Sequence, residues 1–422
     1  MISVLFLILL SFLCIYFITN RNAAVLGYLV FFQEVHIIPL NNLGLSVLGY
    51  VYYIIVLIAF LYTYTSFNIS KRRIKFIIND KVIWAIALLT CIILFHLLVM
   101  GLKSDSARIL TLRFFLQVLP VIFFLVIALD RKKFIQQIAA GIIIFGILLY
   151  CILLFATDFL SMMFARGDFR DIVGMNPIAV TRAGGIVFIT SFLYYFDKTT
   201  VKFRLISLYI AIFSLIIMVM SLSRGPVLGL IFTIIFFFFI KKGDLYKKIL
   251  SLSLISILVA VSGIILYNYV NIETFMFLID RIEGLQDYEN MRRYRRLVFA
   301  SEFISNEFSL YSFYFWFGMG PAGFAYYYSM GYVHNFVLEF ILEYGFVGVI
   351  SISLFTFYSF YYSIKIIRSR VPLRLLYIPL IFIFLFFSSL VSGDIIANRN
   401  LLFVAVIQLT AVYQFKQMGY TL

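Results

Sequence analysis

Leu205–Leu222 reads LISLYIAIFSLIIMVMSL, eighteen residues without one charged side chain. Wound as an α-helix at about 1.5 Å per residue, such a block comes close to the ~30 Å of a bilayer's hydrocarbon core. Blocks of the same kind recur at Ile2–Thr19, Leu45–Phe67 and Ile249–Tyr267. Across the 422 residues 64% are apolar and only 13% charged, against about 25% charged in ordinary soluble domains. The alternating pattern of barrel strands is absent, which excludes an outer-membrane barrel. The chain therefore reads as an all-α polytopic integral membrane protein, because lipid obliges each crossing to satisfy its backbone internally. No fixed-period repeat divides it, so 1–422 is expected to form a single transmembrane domain.

The charges between the blocks set an orientation. Basic clusters stand at Lys71–Lys75, Arg131–Lys133, Lys198–Arg204, Lys241–Lys248 and Lys365–Arg374. Assigning all of them to the cytoplasmic side, as the positive-inside rule directs, leaves one crossing out and one back between each pair. The net charge of +15 is then mostly an orientation signal and weak evidence for nucleic acid. The scheme gives about twelve spans if Ala23–Leu40 dips in and returns, the favoured reading. It gives about thirteen if that segment crosses. Ile2–Thr19 lacks a cationic run before it and a small-residue cleavage site after it, so it is expected to stay as a first span. Cys14, Cys91 and Cys151 each lie within an apolar block, with neither a disulfide framework nor metal-ligand spacing.

The same scheme leaves a long outer loop, 269–333. It has no lysine but carries Arg281, Arg292, Arg293, Arg295 and Arg296. Positive charge on that side runs against the topology rule, and arginine's planar fork suits bidentate phosphate binding. Within the loop Glu289–Phe308 (ENMRRYRRLVFASEFISNEF) has the periodicity of an amphipathic helix, with Met291, Tyr294, Leu297 or Val298, and Ile304 on its apolar side. The bland alternative is a basic helix lying on anionic lipid. Arg224 ends a span within SLSRGP (221–226), where a cation is costly and usually functional. The alternative there is an arginine snorkelling to headgroups.

The sharpest pattern closes the loop: His334-Asn335, nine residues, then Gly345 and Gly348 at the start of a span. Glu339 and Glu343 follow four apart on that helix. An unperturbed imidazole can accept a proton at physiological pH, which is the role open to His334. The plain reading is a helix-capping pair with two glycines for close packing. His96, in mid-span, reads as a packed, hydrogen-bonded core residue.

Taken in order, these features resemble the O-antigen polymerase and ligase superfamily of bacterial envelope glycosyltransferases. The features are Asn176-Pro-Ile with Arg182, Ser223-Arg-Gly, the arginine-rich loop, Phe317–Pro321 (FGMGP) and the His334-Asn335 pattern. The resemblance runs from about Gly174 to Gly348. It implies a GT-C-type fold of about twelve helices and an undecaprenyl-diphosphate-linked glycan as donor, used at the periplasmic face of the inner membrane. It also implies partners in membrane lipid and a chain-length regulator protein. In catalytic roles it puts His334 on the acceptor hydroxyl, Arg224 on the leaving diphosphate and Glu343 in support of His334. Arg182, Arg281, Arg292, Arg293, Arg295, Arg296 and Asn335 are expected to bind the substrate and its diphosphate. No cofactor or metal is expected. Asp168 and Asp171 are the only paired outer carboxylates considered, and the arginines beside them favour a solvated loop. The expected activity is that of a polysaccharide polymerase of the Wzy type. A ligase to lipid A–core is the first alternative and a polysaccharide flippase or transporter the second, the latter disfavoured by the missing repeats.

Overall fold

The computed structural model describes residues 2–45, 48–64, 76, 78–100, 104–127, 134–157, 177–197, 201–221, 223–241, 288–328, 333, 335–390 and 398–420. For Arg224 and residues 288–294 it describes the backbone alone. His334, Arg281, Asn176, Asp168, Asp171 and the apolar block Ile249–Tyr267 lie outside the described residues.

Helices account for nearly all of the described chain. In order they are α1 (Ile2–Thr19), α2 (Glu34–Asn42), α3 (Leu48–Tyr64), α4 (Lys81–Phe95), α5 (Asp105–Arg113), α6 (Leu119–Ile127), α7 (Phe134–Ala156) and α8 (Pro177–Phe196). Then follow α9 (Val201–Met220), α10 (Arg224–Ile240), α11 (Tyr288–Glu307), α12 (Phe313–Phe317), α13 (Gly323–Tyr328), α14 (Phe336–Arg368), α15 (Tyr377–Ser389) and α16 (Arg399–Gln417). Among the described residues seven helical stretches are long and apolar enough to cross a membrane, and three shorter apolar helices accompany them. The chain is an all-α polytopic membrane protein. All three cysteines are free thiols.

Side chains at the helix ends explain several boundaries. Asp80 accepts from the Val82 amide at 2.8 Å and caps α4, and Ser104 does the same for α5 through the Ala107 amide at 3.1 Å. Exposed Leu5, Ile8, Phe12 and Ile15 give α1 an apolar outer face suited to lipid, whereas α15 is buried almost all round. Small residues let the central helices approach. Gly184 of α8 sits under Met218 of α9, and Gly229 of α10 lies against the backbone of Phe384 and Ser388 in α15.

Contacts between helix ends fix their directions. The Lys241 ammonium after α10 donates to the Ser369 carbonyl at 3.2 Å. Arg374 pairs with Asp197 after α8 at 3.3 Å. The Tyr377 hydroxyl at the start of α15 donates to the Ile135 carbonyl at the start of α7, at 2.7 Å. One end of the bundle therefore gathers the ends of α8, α10 and α14 with the starts of α7 and α15, and described members of the basic clusters are among them. The opposite end gathers the starts of α8, α10 and α14 and the ends of α9 and α15.

These directions correct one expectation. The Ala23 amide donates to Gln137 near the start of α7, at 3.1 Å, and Gly27 backs onto Gly141. The 23–40 segment thus begins at the basic end, where the dip-and-return reading required the other. Its first turns run alongside α7 in the same direction. The helix then breaks at Phe32 (φ −126°, ψ 46°), and α2 continues as a short piece of roughly 14 Å. A start at the basic end fits the crossing alternative.

Candidate functional site

At the end opposite the basic clusters the structure forms two constructions. The first joins α8, α9, α10 and α15. Arg182 is buried on α8, and its guanidinium donates through Nε to the Ser388 hydroxyl and through Nη2 to the Ser388 carbonyl, each at 3.2 Å. One residue earlier, Thr181 hydrogen-bonds to Ser221, the residue after α9. Ser221 in turn leads into the turn from which α10 starts at Arg224. The sequence therefore brings Arg182 and the Arg224 turn together, although 42 positions separate them. A buried guanidinium costs less when its donors are taken by hydrogen bonds, and Ser388 supplies two acceptors. Ser388 was not singled out from the sequence. The only local sign was a serine pair, Ser388-Ser389, in an otherwise apolar span.

The second construction is a break in α14 filled by the loop before it. Gly345 adopts φ 60° and ψ −152°, a conformation open essentially to glycine alone. A break there withdraws the amides that helix carbonyls of the preceding turn would normally receive. The Met319 amide donates instead to the Leu342 carbonyl and the Gly320 amide to the Glu343 carbonyl, both at 2.9 Å. The FGMGP segment thus replaces two rungs of the helix ladder. The approach is close: a Cβ on Gly345 would lie 2.6 Å from the Gly318 nitrogen, and one on Gly318 would collide with the Glu343 backbone. Gly318 and Gly320 turn through φ 74° and 88° to make the fit. The plain alternative for Gly345 was packing of helix on helix; it serves packing of loop into helix.

Three further site residues belong to this second construction. Asn335 caps α14, its side-chain oxygen accepting from the Leu338 amide at 3.0 Å, so the capping reading of that residue is the one the structure displays. Glu343 and Glu339 are both buried, one turn apart on α14. Asn335 and Val333 flank His334 in the chain, and both are described, Val333 buried and Asn335 half-buried.

The loop helix α11 spans Tyr288–Glu307, as its periodicity predicted to within a residue at each end. Of its expected apolar side Ile304 packs, Val298 is half-buried and Leu297 is exposed, and the side chains of Met291 and Tyr294 lie outside the described residues. Phe299, Ala300, Phe303 and Ile304 pack with Met319, Phe324, Val333 and Leu342 in a small separate core. From Phe299 to Ile304 that face packs against protein. Arg295 is exposed and Arg296, one turn before Ala300, is half-buried. Among the described residues no cluster of three His, Cys, Asp or Glu side chains could hold a metal.

The second construction falls within one stretch of chain, and the first enters that stretch at Ser221 and the Arg224 turn. Residues 209–353 match the O-antigen ligase family. The match supports the O-antigen ligase and polymerase superfamily. No curated protein and no solved structure matches the chain. The matched stretch takes in Arg224, α11, the FGMGP segment, the His334-Asn335 pair, Glu343 and Gly345. Arg182, Ser388 and His96 lie outside it and reach its residues through the fold.

Proposed function

We propose that the chain is a bacterial inner-membrane glycosyltransferase that moves a glycan from undecaprenyl diphosphate to an acceptor sugar hydroxyl at the periplasmic face. The observation that carries this reading is the convergence of Arg182 and the Arg224 turn at one end of the bundle, the end to which α14 also brings Glu343 and Asn335. Such a donor needs cations for its diphosphate, an apolar bundle beside its prenyl chain and a proton acceptor facing the second sugar. The lysine-bearing clusters at the other end favour a periplasmic orientation for this one.

In the proposed reaction the acceptor oxygen attacks the anomeric carbon of the donor as the bond from that carbon to the diphosphate oxygen breaks. The electron pair leaves with undecaprenyl diphosphate. Negative charge grows on that leaving group, so fixed guanidinium groups there lower the barrier most. Arg224 and Arg182 take this role, helped by arginines of the loop, among them Arg281, Arg292, Arg293, Arg295 and Arg296. His334 accepts the proton of the acceptor hydroxyl, and general-base help of this kind contributes roughly 10²–10⁴-fold. Glu343 orients the histidine, and Asn335 holds the start of α14 in register.

Chain extension on a lipid-linked repeat unit, as an O-antigen or capsular polymerase performs it, is the favoured reaction. Transfer to lipid A–core is the second reading, and the match to the O-antigen ligase family is common to both. Deletion of the gene separates them: loss of a polymerase leaves core capped by a single repeat unit, and loss of a ligase leaves bare core. The site itself is tested with His334→Ala, which is expected to abolish polymer in cells while the protein stays in the membrane. A normal glycan ladder in that strain would remove His334 from the mechanism.

A further inference from the structure

His96 stands at the end of α4, outside the matched domain, and meets the FGMGP segment with both ring nitrogens. Its Nε2 lies 2.7 Å from the Phe317 carbonyl oxygen. A carbonyl only accepts, so Nε2 carries the hydrogen and donates. Its Nδ1 faces Gly320, where an added Cβ would stand 3.0 Å away. The ring is buried, with Tyr344 edge-on at 6.5 Å. The neighbouring Phe95 stacks on Phe317 at 4.7 Å and on Phe313 at 6.2 Å. With both nitrogens turned to the loop, neither is presented to a substrate.

We infer that His96 is a positioning residue: it clamps the Phe317–Gly320 backbone into the break at Gly345 and so sets where α14 carries Glu343 and the His334-Asn335 pair. The chain of contacts is short. His96 fixes the Phe317 carbonyl, and the next two amides but one, Met319 and Gly320, hold the Leu342 and Glu343 carbonyls at 2.9 Å. Release of Phe317 lets those amides drift from α14, and the carboxylate of Glu343 moves with its backbone. A residue at the end of α4 thereby controls the geometry of a site to which α4 contributes no reacting group. This inference rests on the proposed transferase reading for its catalytic consequence and on the geometry alone for the clamp. A displacement of about 1 Å in a reacting group can cost on the order of a hundredfold in rate.

The experiment compares wild type, His96→Gln and His96→Phe as full chains reconstituted in phospholipid vesicles. Hydrogen–deuterium exchange is followed on the peptide covering 313–321, and glycan transfer is measured from a purified polyprenyl-diphosphate oligosaccharide. Glutamine keeps a nitrogen donor near Nε2; phenylalanine keeps a flat ring without one. His96→Phe is expected to exchange the Met319 and Gly320 amides faster and to lower kcat by roughly ten- to a hundredfold, with the donor KM within about twofold of wild type. His96→Gln is expected to restore slow exchange and most of kcat. Unchanged exchange in His96→Phe overturns the clamp, as does equally fast exchange in both variants. Fast exchange with an unaltered kcat reduces the clamp to a structural contact and overturns the positioning role. If wild type transfers nothing, the transferase reading fails and takes the catalytic consequence with it, while the exchange data still decide the clamp.

Discussion

The two constructions at the end opposite the basic clusters are held together in opposite ways. Around Arg182 the helices are continuous, and side chains make the joints: a guanidinium on a serine, a threonine on a serine. Around Gly345 the helix is interrupted, and backbone amides make the joints, with glycines clearing the room. The difference predicts how each fails. A side-chain joint loses one or two hydrogen bonds when a partner is shortened, and the bundle around it stands. A backbone joint has no partner to shorten; it fails when a Cβ is put where none fits, and then a turn of helix fails with it.

The largest effect is therefore expected at Gly345. Gly345→Ala adds a Cβ 2.6 Å from the Gly318 nitrogen at a φ of 60°, and the strain of such a backbone alone costs about 1–3 kcal/mol. Folded protein recovered from membranes should fall sharply, with residual transfer below a tenth of wild type per cell; full recovery would mean that the loop and helix are not interlocked. Next comes Arg182→Met, which keeps length and apolar stem but removes the charge. Stability should drop by about 1–3 kcal/mol, since both Ser388 contacts disappear, yet transfer should fall much further than the amount of folded protein. Activity falling only in step with folded protein would make Arg182 a strut. Ser388→Ala is milder. It removes one of two acceptors, costs about 1 kcal/mol and should raise the donor KM more than it lowers kcat. The smallest effect belongs to exposed Arg295: Arg295→Ala should alter the melting temperature by less than a degree or two, because exposed sites away from special features stay within about 0.5 kcal/mol. Any rise in KM there is then a direct reading of substrate contact.

What could be read from the chain beforehand follows the same division. The span-length apolar blocks among the described residues, the extent of α11 and the cap at Asn335 are local patterns, and each is found where the pattern puts it. On α11 Ile304 packs as the periodicity predicts, and Met319, Phe324 and Leu342 also draw in Phe299 and Phe303, because a stripe's exact place depends on what it packs against. The Arg182–Ser388 joint spans 206 positions and has no periodic signature at all. Gly345 was legible as a glycine with a purpose. That the purpose is a break depends on a loop 25 residues upstream, which no window around Gly345 contains. The 23–40 segment was misread for a different reason: its charges are too few to orient it, and the deciding contact is with Gln137 in another helix.

The order of the chain gives the break a bearing on biosynthesis. The Phe317–Gly320 segment is made before α14, so it has already emerged when the Leu342 and Glu343 carbonyls reach the translocation machinery. Until it docks, those carbonyls stand open, and hydrocarbon offers them nothing to bond. The upper turns of α14 would then stay out of the lipid until α4 and the loop had assembled, making completion of this one helix a checkpoint on the folding of both halves.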